Sequence, residues 1–400
     1  MPRSGPQTIH RKVHPLTALL VAATLVSATG LTVRVQAADL DQTQSPQRYI
    51  IHYKVDQYAA LSKHLHRAGS QELRHLQRQR ALVAMLTEAD VRTLQLQPSI
   101  NSLELDHRRY RLGQLKPYGT ALIQAEQFSP FGTPRKLCII DSGYDAEHPD
   151  LPGSDRVSGQ ALAGTGRWDE PGDSHGTHVA GTIAALHNKI GVVGIHPGVG
   201  LSLHVVKVFA DHGLWTFASE LVAALEACQD AGAHVVSMSL GGAQKTTLER
   251  GAFAHAYASG ALLVAAAGND GSTACSYPAC YEPVISVAAV DRSKRHAVFS
   301  QRNTRVELSA PGVGVWSTVV GGDIQPYSGT SMAVPHVSGA AALLWSLHAE
   351  CDNAAIRQAL TNSAEDLGDP GRDTNYGFGL VQLGAADVLL SSNGCALASN

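Results

Sequence analysis

The chain has 400 residues, of which 44% are hydrophobic and 16% are charged, and its formal net charge is −3. This composition is that of a globular protein with a large core. The sequence contains no internal repeat, no long low-complexity run and no dinucleotide-binding or P-loop motif, so it gives no sign of a repeat or nucleotide-binding protein.

The N-terminus has the pattern of a secretory signal peptide. A basic start precedes an apolar run from Leu16 to Val26, which is too short to span a bilayer. Val35-Gln36-Ala37 offers small residues at the outer positions of a cleavage site. We therefore predict a signal peptide at residues 1–37 and export to the periplasm or the medium. A transmembrane anchor is the alternative, but no other stretch approaches 18 apolar residues.

Residues 38–112 predict a small α+β module that is separate from the rest of the chain. Thr87 is placed to cap a helix, with acidic residues in its first turn. The predicted elements are a strand at 48–53, a helix at 57–68, a strand at 81–86, a helix from Thr87 to Leu94 and a strand at 100–105.

The two parts of the chain carry opposite charge. Residues 39–112 have a net charge of +3 and five histidines, whereas residues 113–400 have a net charge of −10. Opposite charges favour docking of one part on the other. The acidic balance of the larger part argues against nucleic-acid binding.

The larger part begins with a short apolar run that ends in a carboxylate. Leu137 to Ile140 is typical of a buried strand, and Asp141 follows it directly. Strands and helices then alternate as far as Leu344, which predicts an α/β fold with a parallel sheet and helices on both faces. A lone Asp at a strand end is more often a helix cap or a turn residue.

His175 stands at the start of a helix of small residues, His175 to Leu186. The spacing of His175 and His178 could suggest a metal pair, but the glutamate of a His-Glu-x-x-His zinc motif is missing. We therefore interpret His178 as a packed structural histidine.

Ser331 lies in the run Gly329-Thr330-Ser331-Met332-Ala333-Val334-Pro335. Pro335 fits a first helical turn, and an apolar run continues the helix to Trp345. A serine at the positive end of a helix is usually an N-cap, but with a base and an orienter it can act as a nucleophile. The order Asp141, His175, Ser331 is one of the known orders of a catalytic triad.

These three blocks, Ile140 to Gly143, His175 to Gly181 and Gly329 to Ala333, closely resemble those of the subtilases, the subtilisin-like serine peptidases. The resemblance extends from about Pro117 to Leu390. It implies a subtilisin-like parallel sheet and a serine endopeptidase. Ser331 would attack the scissile carbonyl, His175 would transfer the proton, and Asp141 would orient the imidazole. Activity should rise through roughly pH 6–7, near the pKa of an ordinary histidine.

The resemblance also implies an oxyanion hole and a substrate cleft. Asn269 follows an apolar strand and matches the oxyanion donor, with the Ser331 N–H as the second donor. Substrate would pair as an added strand. The matched walls of the P1 pocket are small and uncharged, which favours a large apolar or aromatic P1 residue. They are Ser239, Leu240 and Gly241 on one side and Ala266, Ala267 and Gly268 on the other, with Gly213 to Trp215 on the opposite rim near P4.

A calcium site is a further implication. The segment Leu186 to Val192 reads as a loop that interrupts a helix, and its spacing resembles the high-affinity calcium loop of subtilases. All the matched ligands are hard oxygen donors, which calcium prefers. They are the carbonyl groups of Leu186, Ile190 and Val192 and the side chains of Asn188, Asp150 and Gln114.

Six cysteines fit an exported protein. Cys275 and Cys280 are close in sequence and near the predicted P1 pocket, and Cys351 and Cys395 are placed to fix the C-terminal tail. The remaining two, Cys138 and Cys228, either pair or stay free as small buried hydrophobic residues.

The α+β module resembles the I9-type propeptide of subtilases, which assists folding and then blocks the cleft. We therefore expect an inhibitor propeptide at 38–112 and a monomeric peptidase at 113–400, with self-cleavage between Arg108 and Gln114. One alternative is a processing subtilase of narrow specificity, whose hallmark would be acidic residues along the cleft, which the wall segments lack. A non-catalytic binding protein is the other, but it would normally lack a triad residue.

Overall fold

The computed structural model describes residues 46–106, 113–128, 132–211, 213 and 215–397. The predicted signal peptide lies outside these residues, as does Leu214 and most of the segment in which self-cleavage is expected. The chain divides into two compact units, residues 1–108 and 109–400. No helix of the described residues is both long enough and apolar enough to cross a membrane.

The described residues of the N-terminal unit form a four-stranded antiparallel sheet with two α-helices. The strands follow the order β2-β3-β1-β4, which is the ferredoxin-like arrangement of a βαββαβ chain. Buried Ile51, Leu61 and Leu82 belong to its core. The elements are β1 (Gln47–Tyr53), α1 (Tyr58–Ala68), β2 (Gln71–Leu76), β3 (Ala81–Leu86), α2 (Glu88–Gln95) and β4 (Ile100–Leu105).

Five of these six elements match the predicted ones. At the start of α2, the Asp90 N–H donates to the Thr87 hydroxyl and the Thr87 N–H donates to the Asp90 carboxylate, which forms a capping box. Strand β2 was not predicted, because this edge strand is mostly exposed and has no apolar alternation.

The C-terminal unit is built on a seven-stranded sheet in which every neighbouring pair is parallel, in the order β11-β10-β9-β8-β5-β7-β6. The predicted α/β class is therefore confirmed. The strands are β5 (Arg135–Asp141), β6 (Val157–Ala161), β7 (Leu201–Lys207), β8 (Val235–Met238), β9 (Leu262–Ala266), β10 (Val284–Val290) and β11 (Val306–Pro311), with a separate antiparallel pair, β12 (Val315–Val319) and β13 (Asp323–Tyr327). The helices are α3 (Tyr118–Leu122), α4 (His175–Ala184), α5 (Ala218–Asp230), α6 (Thr247–Ala258), α7 (Thr330–Leu347), α8 (Asn353–Asn362) and α9 (Leu383–Asn393).

Successive side chains of β5 belong to two different hydrophobic cores, because side chains alternate between the two faces of a strand. Leu137 and Ile139 pack with apolar residues of α4 and α7 on one face of the sheet. Cys138 and Ile140 pack with apolar residues of α5 and α6 on the other. Helices therefore cover both faces, and the continuous apolar run of β5 follows from burial on both sides.

The strand order reverses between β5 and β8, where ligands bind in open parallel sheets. Asp141 ends β5, and Ser239 directly follows β8, whose Met238 lies opposite Ile140. The sheet thus places two of the predicted site residues side by side at its carboxyl edge.

All six cysteines are paired. The structure joins Cys275 to Cys280 and Cys351 to Cys395, and it joins Cys138 of β5 to Cys228 of α5, which the sequence left open. The last bridge therefore ties helix α5 to β5, an interior strand of the sheet.

Candidate active site

Asp141 and His175 form a hydrogen-bonded pair. His175 Nδ1 donates to Asp141 Oδ1 over 2.8 Å, and the Ser142 N–H donates to the same oxygen over 2.7 Å. The carboxyl group of Asp141 is fully buried, whereas the His175 ring is partly exposed. Because the carboxylate only accepts, Nδ1 carries the proton, and Nε2 is left as the basic nitrogen of a neutral imidazole.

The surroundings raise the pKa of His175 above its ordinary value of 6.5. Burial by itself lowers this pKa, but the charge of Asp141, its hydrogen bond and the charge of Asp173 outweigh that effect. The expectation of an ordinary histidine pKa is therefore replaced by a pKa above 6.5.

Asp173 is a supporting residue that the sequence analysis missed. Its Oδ1 accepts hydrogen bonds from the Ser142 hydroxyl, at 2.6 Å, and from the His175 N–H, at 2.8 Å. The Ser142 hydroxyl in turn accepts from the Gly176 N–H. This network fixes the first turn of α4 against the end of β5, and the only sequence signal for it is an acidic residue just before a helix.

Ser331 is the second residue of α7, so its N–H lies among the unsatisfied donors of the helix N-terminus. Its hydroxyl donates to the Ser239 carbonyl oxygen over 3.1 Å, and the Ser239 hydroxyl donates to the Ser331 carbonyl oxygen over 2.8 Å. Within the described part of the chain, Ser331 Oγ makes no hydrogen bond to His175.

Pro335 lies in the second turn of α7, not in the first turn as predicted, because the helix already begins at Thr330. A proline has no N–H, so the carbonyl oxygen of Ser331, four residues earlier, has no helical partner. The Ser239 hydroxyl satisfies that oxygen instead. The proline thereby couples the start of α7 to the segment after β8.

Asn269 is held beside the start of α7. Its Oδ1 accepts from both the N–H and the hydroxyl of Thr330, at 2.8 and 2.9 Å, which leaves Nδ2 as the outward donor. An ideal Cβ built on Gly329 would lie 3.6 Å from Asn269 Nδ2 and 3.7 Å from Ser331 N. Two donors therefore flank one small space, as an oxyanion hole requires.

A cleft of about 620 Å³ opens beside His175 and the segment that follows β8. His175 and Ser239 both line it, together with Gly213 and Trp215 of the predicted P4 rim. Glu249 of α6 also lines the cleft, although the predicted wall segments themselves contain no acid. Glu249 was not predicted as a cleft residue, because Thr246-x-x-Glu249 before a helix has an ordinary capping pattern.

The predicted P1 walls come from the ends of neighbouring strands. Ser239, Leu240 and Gly241 follow β8, while Ala266 ends β9 and Ala267 and Gly268 follow it. An ideal Cβ on Gly241 would lie 2.2 Å from Ser276 Oγ, and Gly242 and Tyr277 exchange backbone hydrogen bonds. The loop closed by Cys275 and Cys280 is thus fixed against one wall.

His178 is a packed structural histidine, as interpreted from the sequence. It is fully buried, its Nε2 donates to the carbonyl oxygens of Val315 and Gln325, and its ring stacks on Tyr327. Burial lowers its pKa to about 4, so it stays neutral at physiological pH.

Oxygen atoms of the predicted calcium loop converge on one point. Gln114 Nε2 lies within hydrogen-bonding distance of four of them, and only a donor or a cation can occupy such a position. They are the carbonyl oxygens of Leu186, Ile190 and Val192, at 2.5, 2.9 and 2.8 Å, and Asn188 Oδ1, at 3.4 Å. The sequence predicted that this loop interrupts a helix, and that prediction is wrong. Helix α4 ends at Ala184, before the loop, and the chain continues to strand β7.

Two buried oxygens beside this point have no partner among the described residues, Gln114 Oε1 and Asp150 Oδ1. Asp150 Oδ2 accepts from the Val192 N–H over 2.7 Å, and burial raises the pKa of Asp150 to about 7. An ideal Cβ on Gly191 would lie 2.1 Å from Asp150 Oδ2, so only glycine fits there. Unpaired oxygens and converging carbonyls are a donor set that fits calcium.

Comparison with known proteins defines the class. The profile of the subtilase family matches residues 132–379. The chain therefore belongs to the subtilase family, and it is a serine endopeptidase.

The relatives span most of the chain. Subtilisin J of Geobacillus stearothermophilus is 38% identical over 382 residues, which cover 92% of this chain and 97% of that protein. Subtilisin DY of Bacillus licheniformis is 42% identical over 283 residues, which cover 68% of this chain and 99% of that protein. The crystal structure of the psychrophilic subtilisin-like protease Apa1 from the Antarctic psychrotroph Pseudoalteromonas sp. AS-11 superimposes with a TM-score of 0.67 at 31% identity. It covers 71% of this chain and 100% of that one.

Proposed function

We propose that this subtilase hydrolyses proteins through an acyl-enzyme formed on Ser331. His175 acts as the general base and then the general acid, Asp141 holds its tautomer, and Asn269 Nδ2 with the Ser331 N–H binds the oxyanion. The observation that carries the proposal is the 2.8 Å hydrogen bond between His175 and buried Asp141. This pair lines a cleft, and Ser239, which lines the same cleft, is hydrogen-bonded to Ser331.

We propose a preference for large apolar or aromatic P1 residues. The support is the small, uncharged set of wall residues, Ser239 to Gly241 and Ala266 to Gly268. A substrate strand would hydrogen-bond to the exposed backbone beside these walls.

We propose one calcium ion at the loop Leu186–Val192. The carbonyl oxygens of the loop, Asn188 Oδ1, the Asp150 carboxylate and Gln114 Oε1 would hold it, the last after rotation of the amide by 180°. Calcium would supply the positive charge that these oxygens lack, and it would stabilise the folded state without taking part in the chemistry.

We propose that the protein is made as a secreted, monomeric zymogen. Residues 1–37 would be the signal peptide, residues 38–112 an inhibitory propeptide and residues 113–400 the mature enzyme. The support is the ferredoxin-like fold of residues 47–105 and the opposite net charge of the two parts.

Covalent labelling tests the nucleophile. A sulfonyl fluoride should modify the peptide that contains Ser331, as seen by mass spectrometry after digestion, and Asp141→Asn should slow the labelling strongly. Ser328→Ala is the matched control, because Ser328 is an exposed serine three residues earlier. Labelling that persists in Ser331→Ala, or that Ser328→Ala removes, would contradict the assignment.

A further inference from the structure

The cleft contains a buried carboxylate that the proposed chemistry does not use. Glu249 is 4% exposed, and its Oε2 accepts from the Tyr281 hydroxyl at 2.9 Å and from the Thr246 hydroxyl at 3.3 Å. Its other oxygen, Oε1, makes no hydrogen bond or ion pair in the described part of the chain and is not sealed from solvent. One acceptor of the carboxylate is therefore available to a group that enters the cleft.

Helix capping accounts for only part of this arrangement. The Glu249 N–H donates to the Thr246 hydroxyl, as in a capping box. In a complete box the Glu249 side chain would accept from the Thr246 N–H, but that N–H donates to the Tyr281 hydroxyl instead, over 2.9 Å. The Tyr281 hydroxyl thus lies between helix end and carboxylate, and capping requires nothing of Oε1.

The cleft that Glu249 lines also has aromatic walls. Trp215 and Phe217 line the same cleft, are 68% and 63% exposed, and pack edge to face with ring centroids 5.0 Å apart. Tyr277 also lines the cleft. Aromatic faces attract cations, and a carboxylate pairs with a guanidinium or an ammonium group.

The charges of the cleft lining also favour a cationic ligand. Its described lining includes the carboxyl groups of Asp141, Asp173 and Glu249 and no lysine or arginine. The basic neighbours of Glu249 in sequence, Lys245 and Arg250, are exposed and are not part of the lining. No lysine or arginine of the described lining therefore competes with an entering cation for Glu249.

We infer that Glu249 makes the subsite beside Trp215 selective for arginine or lysine at P4 of the substrate. The cation would lie against the aromatic wall and bind Glu249 Oε1, while the P1 residue remains apolar. This inference rests on the proposed peptidase function. Selectivity at P4 would make the specificity of the enzyme narrower than the P1 walls alone indicate.

Four peptides test the inference, with the same aromatic P1 residue and arginine, lysine, leucine or alanine at P4. The wild-type enzyme should cleave the P4 arginine peptide with kcat/KM about tenfold above that of the P4 alanine peptide, and this ratio should fall with added salt. Glu249→Gln keeps an acceptor for Tyr281 and should bring the ratio close to one. Glu249→Leu should favour leucine at P4. Glu226→Gln, which changes an exposed glutamate of α5 outside the lining, should leave the ratio unchanged.

The P4 alanine peptide separates the two proposals. If it is cleaved and the wild type shows no preference for a basic P4 residue, the inference is wrong and the peptidase proposal stands. A thermal destabilisation of Glu249→Gln with an unchanged P4 ratio would show that Glu249 only supports the helix end. If no peptide is cleaved at all, the proposed function itself fails and this inference fails with it.

Discussion

Removal of calcium should make the stability of this protein fall as the pH rises. Asp150 is 1% exposed, and burial raises its pKa to about 7, although the hydrogen bond from the Val192 N–H lowers this pKa. The unfolded chain has the ordinary aspartate pKa of 3.8. Between these two pKa values the folded protein binds more protons than the unfolded chain, so its free energy of unfolding decreases with pH. A separation of about three pKa units corresponds to at most about 4 kcal/mol.

Calcium should remove this trend, because coordination requires the carboxylate form of Asp150 and excludes the proton. Each pH unit below about 7 then lowers the apparent calcium affinity roughly tenfold. At fixed excess calcium, the rise in Tm caused by calcium should be about 5–10 °C larger near pH 8 than near pH 5.

Calorimetry on the enzyme inactivated by a sulfonyl fluoride, with a chelator or with excess calcium, measures this difference without self-digestion. Asp150→Asn should abolish both the pH dependence and most of the calcium effect. Asp230→Asn, which changes an exposed aspartate at the end of α5, is the matched control and should respond as the wild type does. An equal calcium effect near pH 5 and near pH 8, or a normal response of Asp150→Asn, would refute the reasoning.

Three further predictions concern the triad, the oxyanion hole and a disulfide. The pH profile of kcat/KM should rise through a pKa above 6.5, because Asp141 favours the protonated form of His175. Asp141→Asn should move the inflection to lower pH and reduce kcat by about 10⁴-fold. An unmoved inflection would contradict this prediction. Asn269→Ala should lower kcat by about 10²–10³-fold with little change in KM, measured on a peptide substrate, and a change in KM alone would argue against an oxyanion role. Replacement of both Cys138 and Cys228 by alanine should lower the free energy of unfolding by about 4–5 kcal/mol, because the bridge closes a loop with a sequence separation of 90; denaturant unfolding that shows no loss would contradict it.

The sequence predicted those parts of the fold and site that depend on short segments. The run Leu137 to Ile140 indicated a buried strand because both of its faces are covered. The blocks around His175 and Ser331 correspond to the starts of helices α4 and α7. The exchange of hydrogen bonds between Ser239 and Ser331 was not predictable, because it joins residues 92 positions apart through a carbonyl that Pro335 leaves free.

Glu249 was missed for a different reason. Its spacing from Thr246 is that of a helix cap, and only the fold shows that the carboxylate also faces the cleft. The pKa of His175 likewise depends on Asp141 and Asp173, which the fold brings beside its ring. Local patterns therefore gave the elements, whereas the electrostatics of the site came from tertiary contacts.

The nucleophilic role of Ser331 is tested by producing the full chain and its Ser331→Ala variant and following both with calcium over time, by gel electrophoresis and casein digestion. The wild type should shorten to a fragment of about residues 113–400 and digest casein, whereas the variant should keep its full length and be inert. Casein digestion by Ser331→Ala at the wild-type rate would contradict the account, because the nucleophile would then lie elsewhere.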